Sequence, residues 1–271
     1  MRPDGSRLAL RRYGGGRRCE GMPLVLHFHA GAFIAGSLDE GATVAGLLAD
    51  AGALVLSLDY PLAPAHPFPQ AVKAGYDALT WADQHRRRLA TARAPIYVAG
   101  EEAGGNLAAA VAMVARDRAG PELAGQILLS PMLDACVGTA SQRDAKAGPV
   151  GCRWADGWHT YLAREDDALH PYAVPARSMR LAGLPRTLLV SAADDPLRDE
   201  TQAFAERLRT AHVPVEMALL EVRTGWPLSY LQGGTPPWAE PLAARLRGFF
   251  ASAASPAVSP NLANSARGSQ P

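Results

Sequence analysis

Glu102 is the residue of this chain whose type and position most invite a chemical question. It lies in the stretch VAGEEAGGNLAAA, residues 98–110, where an apolar run predicts the end of a strand and an alanine-rich run predicts a helix. Gly100 and Gly104 flank it, at the two places where a tight strand-to-helix corner excludes a side chain. The sequence therefore predicts a sharp corner with a carboxylate at its apex. Unpaired amides and the dipole at a helix N-terminus favour such a charge.

Residues 100–104 have the layout of the nucleophile elbow, G-x-S-x-G, in which a Ser at the apex attacks the substrate. Here Glu102 occupies the apex. A carboxylate cannot be converted to an alkoxide, and its charge would repel a developing oxyanion. The spacing is that of a nucleophile, but the residue type is different.

The composition favours one large α/β domain, because 271 residues with 48% apolar content are enough to bury a sizeable core. The net charge is only +1, and no stripe of interleaved aromatic residues accompanies the arginine clusters at residues 11–18 and 86–88. Nucleic acid is therefore not an expected partner.

The cysteine usage indicates neither a disulfide framework nor a metal site. Cys19, Cys136 and Cys152 are widely spaced, with no C-x-x-C pair and no His at ligand spacing. The N-terminal stretch has no apolar run of signal-peptide length, and nowhere do about 18 apolar residues run together. We expect a cytoplasmic protein with no membrane association, no metal and no cofactor.

Strands and helices alternate along most of the chain, which predicts an α/β fold with one doubly wound, mostly parallel sheet. The predicted strands are residues 8–13, 24–28, 54–59, 96–99, 126–130, 187–191 and 215–222, and the predicted helices include residues 70–85, 104–118, 199–211 and 239–251. Residues 132–184 interrupt the alternation with prolines, glycines and two tryptophans, and we interpret them as an inserted lid. Residues 252–271 have too little apolar content to pack, so the domain is expected at 1–251 with a disordered tail.

Six blocks in order, spread over about residues 7–226, resemble one family. They are HFHAGAFIAGS (27–37), LSLDYPLAPAHPFPQAV (56–72), GEEAGGNLAAA (100–110), LLSPMLD (128–134), HPYAVP (170–175) and SAADDPLRDE (191–200). These are similar to the HGGGF loop, the DYRLAPEHPFPAA signature, GDSAGGNLAAA, SPWLD, DPYASP and the acid segment of the hormone-sensitive-lipase-like branch of the α/β hydrolases. That branch includes bacterial acetyl esterases and other short-chain carboxylesterases.

The resemblance implies an α/β-hydrolase fold and assigns a role to each catalytic position. The nucleophilic Ser falls on Glu102 and the orienting acid on Asp195, while the basic His falls on Thr224 in RTGW, or on Gly225 in an ungapped count. Members of the branch carry N-terminal helices that contribute to a cap. Because the first strand is predicted from residue 8, we expect a reduced lid and a more open pocket, covered only by parts of residues 132–184.

The resemblance also implies an oxyanion hole built from the backbone amides of Ala30, Gly31 and Ala103. Ala30 and Ala32 replace two glycines of the family loop, and the backbone amides survive this replacement provided that the loop turns without a positive φ at those residues. A small-molecule pocket is expected at the carboxyl ends of the strands, where Gly31, Glu102, Asp195 and Thr224 converge.

Two functions from different classes follow from these residues. The first is a non-catalytic homologue that binds a small molecule or a protein, with Glu102 either a relic of lost catalysis or a ligand-binding carboxylate. The alternative is a carboxylic ester hydrolase with unusual chemistry that uses Glu102 as the nucleophile. Without a His to activate water, the ester that Glu102 would form has no evident route to hydrolysis.

Overall fold

A computed structural model of the protein describes residues 7–16, 19–144, 148–231 and 235–254. The strands are β1 (Leu10–Tyr13), β2 (Leu24–Phe28), β3 (Leu54–Leu58), β4 (Ile96–Glu101), β5 (Gly125–Leu129), β6 (Thr187–Ala192) and β7 (Val215–Leu220). The helices are α1 (Ala42–Asp50), α2 (Gln70–Gln84), α3 (Arg86–Leu89), α4 (Ala103–Asp117), α5 (Ala140–Arg143), α6 (Gly148–Tyr161), α7 (Arg198–Thr210) and α8 (Ala239–Ala254). Short 3-10 turns lie at Glu165–Leu169, Pro175–Arg177 and Leu228–Leu231.

The strands form one sheet in the order β1-β3-β2-β4-β5-β6-β7, in which β1 is antiparallel to β3 and every other pair is parallel. The chain moves outward from β2 in one direction through β3 and in the other through β4. This is the point where the strand order reverses, and ligands of open α/β sheets bind at the carboxyl ends of such strands. The register pairs Phe28 with Gly100, which sets the loop after β2 beside the corner after β4.

Helices cover both faces of the sheet, as the sequence predicts. Side chains of α1 and α8 pack with one set of alternating strand residues, while those of α2, α4 and α7 pack with the other set. The five central strands β2 to β6 are buried along their whole length, which explains their continuous apolar sequences. The predicted α/β class and mostly parallel, doubly wound sheet are confirmed.

Two glycines allow the corner between β4 and α4 to be tight. A Cβ atom on Gly100 would lie 2.2 Å from the carbonyl oxygen of Gly104, and one on Gly104 would lie 2.0 Å from the carbonyl oxygen of Phe28. Glu102 stands between them with φ +53 and ψ −117, a conformation that is costly for a residue with a side chain. The corner is as sharp as the sequence predicts, and its apex is strained.

The structure corrects two predicted boundaries. β4 continues to Glu101, two residues beyond the predicted strand end. α8 continues to Ala254, so the predicted start of a disordered tail at residue 252 is too early, and Arg186 donates a hydrogen bond of 2.6 Å to the Ser252 hydroxyl. Residues 255–271, the rest of the predicted tail, lie outside the described residues. Residues 132–184, the predicted lid, contain α5, α6 and two of the 3-10 turns.

Candidate functional site

The Glu102 carboxylate is surrounded by N–H donors of the protein itself. Its Oε2 atom accepts hydrogen bonds from the backbone amides of Gly31 at 2.5 Å and Ala32 at 3.0 Å. Its Oε1 atom accepts one from the indole N–H of Trp154 at 2.6 Å. Glu102 is only 3% exposed and Trp154 is fully buried. The carboxylate therefore occupies a site where two loop amides and an indole converge.

Glu101, the residue before the apex, binds the next amide of the same loop. Its Oε1 atom accepts a hydrogen bond of 3.2 Å from the amide of Ala30. Two consecutive carboxylates thus satisfy the three consecutive amides of residues 30–32. Of the predicted oxyanion donors, the amide of Gly31 donates to Glu102 and the amide of Ala30 donates to Glu101. Ala103 is the buried first residue of α4.

Glu101 is held in place by the buried side chain of His27, which in turn contacts the buried Ser57. The His27 Nε2 atom lies 2.8 Å from Glu101 Oε2, and the His27 Nδ1 atom lies 2.9 Å from the Ser57 hydroxyl. The order Ser, His, Glu resembles a catalytic relay, but none of the three residues is more than 1% exposed. The relay cannot meet a substrate, so it positions Glu101 against Ala30. His27 is therefore a packed residue of the core.

The loop after β2 turns through three residues with positive φ: Gly31 at +136°, Ala32 at +50° and Phe33 at +67°. Ala32 therefore does not meet the condition of a turn without positive φ, although its amide still donates a hydrogen bond. Conformations of this kind cost on the order of 1–3 kcal/mol at each non-glycine residue, and they persist where the surroundings fix them. The Glu102 carboxylate supplies part of that restraint, because it binds the amides of both Gly31 and Ala32.

Helix α6 of the inserted lid supplies the rest of the restraint. A Cβ atom on Gly157 would lie 2.3 Å from the carbonyl oxygen of Ala32, so the helix backbone lies directly on the loop. The rings of Phe33 and Tyr161 stack with centroids 4.0 Å apart. The cover over Glu102 comes from residues 132–184, the predicted lid: α6 packs on the loop, and Trp154 covers the carboxylate, which is only 3% exposed. The more open pocket that we expected therefore does not lie directly above Glu102.

Asp195, the predicted orienting acid, is held by hydroxyl groups. Ser130 donates to its Oδ1 atom at 2.7 Å, Ser191 donates to its Oδ2 atom at 2.5 Å, and the amide of Leu197 donates to Oδ1 at 2.9 Å. Burial raises the pKa of Asp195 to about 6, and the hydrogen bonds from Ser191 and Ser130 oppose that rise.

Thr224, the predicted position of the base, is bound to a different carboxylate. Its amide and hydroxyl donate to Asp194, as does the amide of Gly225, over distances of 3.0 to 3.1 Å. Burial would raise the pKa of Asp194, but these donors outweigh it and the pKa is lowered. Among the described residues no hydrogen bond joins Glu102, Asp195 and Thr224 to one another.

A cleft of about 300 Å³ opens beside Asp194 and Asp195, at the carboxyl ends of β6 and β7. Asp194, Asp195 and Glu221 contribute acidic side chains to its lining, and Arg198 and Arg223 contribute basic ones. Glu102 is not among its lining residues. Of the four residues that were expected to converge, Asp195 alone is among the residues that line this cleft.

Tyr230 lies between the two regions. Its hydroxyl is buried, and burial together with the charges of Asp195, Glu101 and Glu102 raises its pKa. Its ring stacks on Trp226 at 5.1 Å. An aromatic side chain thus fills space next to all three carboxylates.

Four residues of this site are not among the predicted ones: Ala32, Glu101, Trp154 and Asp194. Ala32 and Asp194 are direct sequence neighbours of the predicted residues Gly31 and Asp195. Including the residues on either side of each predicted position would therefore have identified them. Glu101 sits beside the apex in the same motif. Trp154 carries no signal, since it lies in an irregular insertion 52 residues away from Glu102.

Neither a metal cluster nor a membrane span is found in the part of the chain that the structure describes. No three His, Cys, Asp or Glu side chains are grouped there so as to hold a metal ion. None of its helices is both long and apolar enough to cross a bilayer.

Comparison with known proteins gives matches of sequence and of structure. Residues 25–223 match the family described as alpha/beta hydrolase fold. Esterase LipI of Mycobacterium tuberculosis is 37% identical over 206 residues, which cover 72% of this chain and 62% of the relative. The gibberellin receptor GID1A of Arabidopsis thaliana is 31% identical over 215 residues, covering 75% of this chain and 62% of the receptor.

Among solved structures, esterase LipW from Mycobacterium marinum is 34% identical and superposes with a TM-score of 0.81, covering 94% of this chain and 80% of that one. The chain spans 62% of the length of the curated relatives LipI and GID1A.

Proposed function

This chain belongs to the α/β-hydrolase fold family, and we propose that it is a non-catalytic member that binds a ligand or a protein partner rather than hydrolysing an ester. The proposal covers the loss of the nucleophilic Ser at Glu102 and of the basic His at Thr224. It also covers a cytoplasmic location, for which the exposed free thiols of Cys19 and Cys136 suit a reducing compartment.

One observation carries the proposal: the loop amides already donate their hydrogen bonds to the Glu102 carboxylate. Ester hydrolysis needs donors that await the oxyanion of the transition state, and their value lies in being preorganised and empty. Here the amides of Gly31 and Ala32 bind a resident anion in the ground state. A substrate carbonyl oxygen would have to displace a charged, buried group to reach them.

The nearest imidazoles do not restore a base. His27 is bound to Glu101 and Ser57. His29 donates from Nδ1 to the Ala30 carbonyl oxygen at 2.7 Å, and burial lowers its pKa. Neither ring forms a hydrogen bond with Glu102 among the described residues, so an ester formed on Glu102 would lack a group to activate water.

The relatives fit a division of the family between enzymes and binding proteins. LipI and LipW are named as esterases, whereas GID1A is named as a receptor for gibberellin. We place this chain on the binding side because of the state of its loop amides. A small molecule at the carboxyl ends of the strands is the ligand class that the position of the cleft favours.

The test is an esterase assay of the purified full chain on p-nitrophenyl acetate and p-nitrophenyl butyrate, with a fluorophosphonate probe in parallel. The matched control is Glu102→Gln, which keeps the shape of the side chain and removes its charge. We expect no saturable turnover, no labelling, and the same background rate in both proteins. Saturable turnover by the wild type that Glu102→Gln abolishes would overturn the proposal in favour of a hydrolase with Glu102 as nucleophile.

A further inference from the structure

A second cavity, of about 390 Å³, lies between α2, α4 and residues 164–172. We call it the α2–α4 cavity. Its volume is within the range of pockets that hold small organic molecules. Val114 of α4 and Arg118, the residue that follows α4, line it, 12 and 16 residues along the chain from Glu102. At a rise of about 1.5 Å per residue these positions are roughly 18 to 24 Å from the corner, so the cavity is a separate site.

Aromatic side chains form much of its wall. Phe68, Tyr76, His170 and Tyr172 all line the cavity. The ring centroids of Phe68 and His170 are 5.1 Å apart, and those of His170 and Tyr172 are 5.0 Å apart. Such walls favour a flat aromatic body, because offset and edge-on ring contacts add to the burial of apolar area.

Three cations surround these rings: Lys73, Arg118 and Arg164. Arg118 lies over the ring of Tyr76, with its guanidinium carbon 4.9 Å from the ring centroid. Arg can hold a carboxylate through two parallel hydrogen bonds, and Lys presents a compact positive charge.

Two carboxylates also line the cavity, Asp77 and Asp167. Asp167 accepts the backbone amide of Arg164 at 3.0 Å, so one of its oxygens is engaged in the local turn. Nearby, Asp117 accepts the Tyr172 hydroxyl at 2.7 Å and the Nε–H of Arg116 at 2.9 Å. Three cations against two lining carboxylates leave a positive excess at the cavity.

We propose that the α2–α4 cavity binds a small aromatic carboxylate. The flat ring packs against Phe68, Tyr76 and His170, and the carboxylate pairs with Arg118 and Lys73 at the rim. This site does not depend on the state of Glu102, so it stands or falls independently of the proposed lack of esterase activity.

The experiment is calorimetric titration of the full chain with three probes of one shape: 1-naphthoate, 1-naphthylmethanol and 1-naphthylmethylammonium. We expect saturable binding of naphthoate with a dissociation constant below about 10 mM, the range that ligand efficiency allows for about 13 heavy atoms. The alcohol should bind more weakly and the ammonium most weakly of the three.

Three variants locate the binding site. Arg118→Gln and Lys73→Gln should each weaken naphthoate binding about tenfold, because each removes one charge-assisted contact. Arg87→Gln, an exposed arginine of α3 outside the cavity, changes the net charge equally and should leave binding unchanged. The variants alter exposed side chains, and equal melting temperatures confirm that each one folds.

Three results would overturn the proposal: no saturation with naphthoate below about 10 mM, equal affinities in wild type and both cavity variants, or preferred binding of the ammonium probe. The last result would mean that Asp77 and Asp167 control the charge of the cavity.

Discussion

The Glu102 corner and the Asp195 segment each hold a buried carboxylate near the carboxyl end of a strand, but with donors of different kinds. Glu102 is bound by N–H groups alone, two amides and an indole. Asp195 is bound by two hydroxyls and one amide. An N–H group can only donate, whereas a hydroxyl can rotate and accept. The corner therefore requires an acceptor at both carboxylate oxygens, and the Asp195 segment can adapt to a change of protonation.

The two kinds of donor lead to different roles for the two carboxylates at the carboxyl edge of the sheet. At the corner, the carboxylate completes the structure of the loop and the lid, and removing it leaves donors unpaired. At the Asp195 segment, burial dominates, and the carboxylate is retained at a cost that depends on pH. The predictions below are ordered by the expected size of their effect.

Glu102→Ala should be the most destabilising of these changes. It leaves the amides of Gly31 and Ala32 and the indole of Trp154 without an acceptor, and each buried unpaired donor costs about 1–3 kcal/mol. Partial relaxation of the loop brings the expected loss in unfolding free energy to about 3–5 kcal/mol. Urea denaturation measures it, and a loss below about 1 kcal/mol would show that the corner does not need its carboxylate.

Added acetate sharpens the same prediction. A small carboxylate can enter the space vacated in Glu102→Ala and accept from the same donors, so acetate should raise the melting temperature of this variant more than that of the wild type. Chloride at equal ionic strength is the control. An equal response of both proteins to acetate would contradict the description of the corner as an anion site.

Asp195→Asn should change how stability depends on pH. The folded-state pKa of about 6 is above the ordinary Asp value of 3.8, so between these values the unfolded chain loses its proton first and the wild type loses stability as pH rises. The loss, complete above about pH 6, amounts to up to about 3 kcal/mol. The variant should lack this slope in denaturation series from pH 4 to 7. Parallel curves for the two proteins would show that Asp195 does not titrate there.

Trp154→Phe should cost about 1–2 kcal/mol, since it removes one donor to Glu102 and keeps a large ring in place. Trp158→Phe is a matched control one helical turn away on α6. The Trp158 indole makes no hydrogen bond to the residues that the structure describes, so its substitution should cost less. If both changes cost the same, ring volume and not the indole N–H accounts for the effect.

Thr224→Val should have the smallest effect, about 0.5–1 kcal/mol. Asp194 loses one hydroxyl donor but keeps the amides of Thr224 and Gly225. Thermal unfolding with a matched Val control at the half-buried Thr160 of α6 measures the difference. A loss above about 2 kcal/mol would place Thr224 at the centre of the site instead of at its edge.

Much of the fold could be predicted because it depends on local periodicity and on ordered motifs. The apolar runs at β2, β3 and β6 mark central strands, and Gly100 and Gly104 mark the corner from their spacing alone. Because Glu102 lies midway between these two glycines, it is predicted as the apex of the corner. These features need no knowledge of distant parts of the chain.

The contacts of the site could not be predicted in the same way. Trp154 reaches Glu102 from an insertion with no regular sequence pattern, and the packing of α6 on the loop, at Gly157 and Tyr161, sets its position. Thr224 binds Asp194 and not the neighbouring Asp195. Sequence spacing does not resolve a difference of one residue.

The acceptor role of Glu102 is tested most directly by the indole N–H of Trp154, observed by NMR in protein labelled with 15N at its five tryptophans. Trp154→Phe assigns the resonance. In the wild type a bond of 2.6 Å to a buried carboxylate should give a strongly downfield proton that exchanges slowly with water. In Glu102→Ala the same proton should move upfield and exchange faster. An unchanged position and exchange rate in Glu102→Ala would contradict the account.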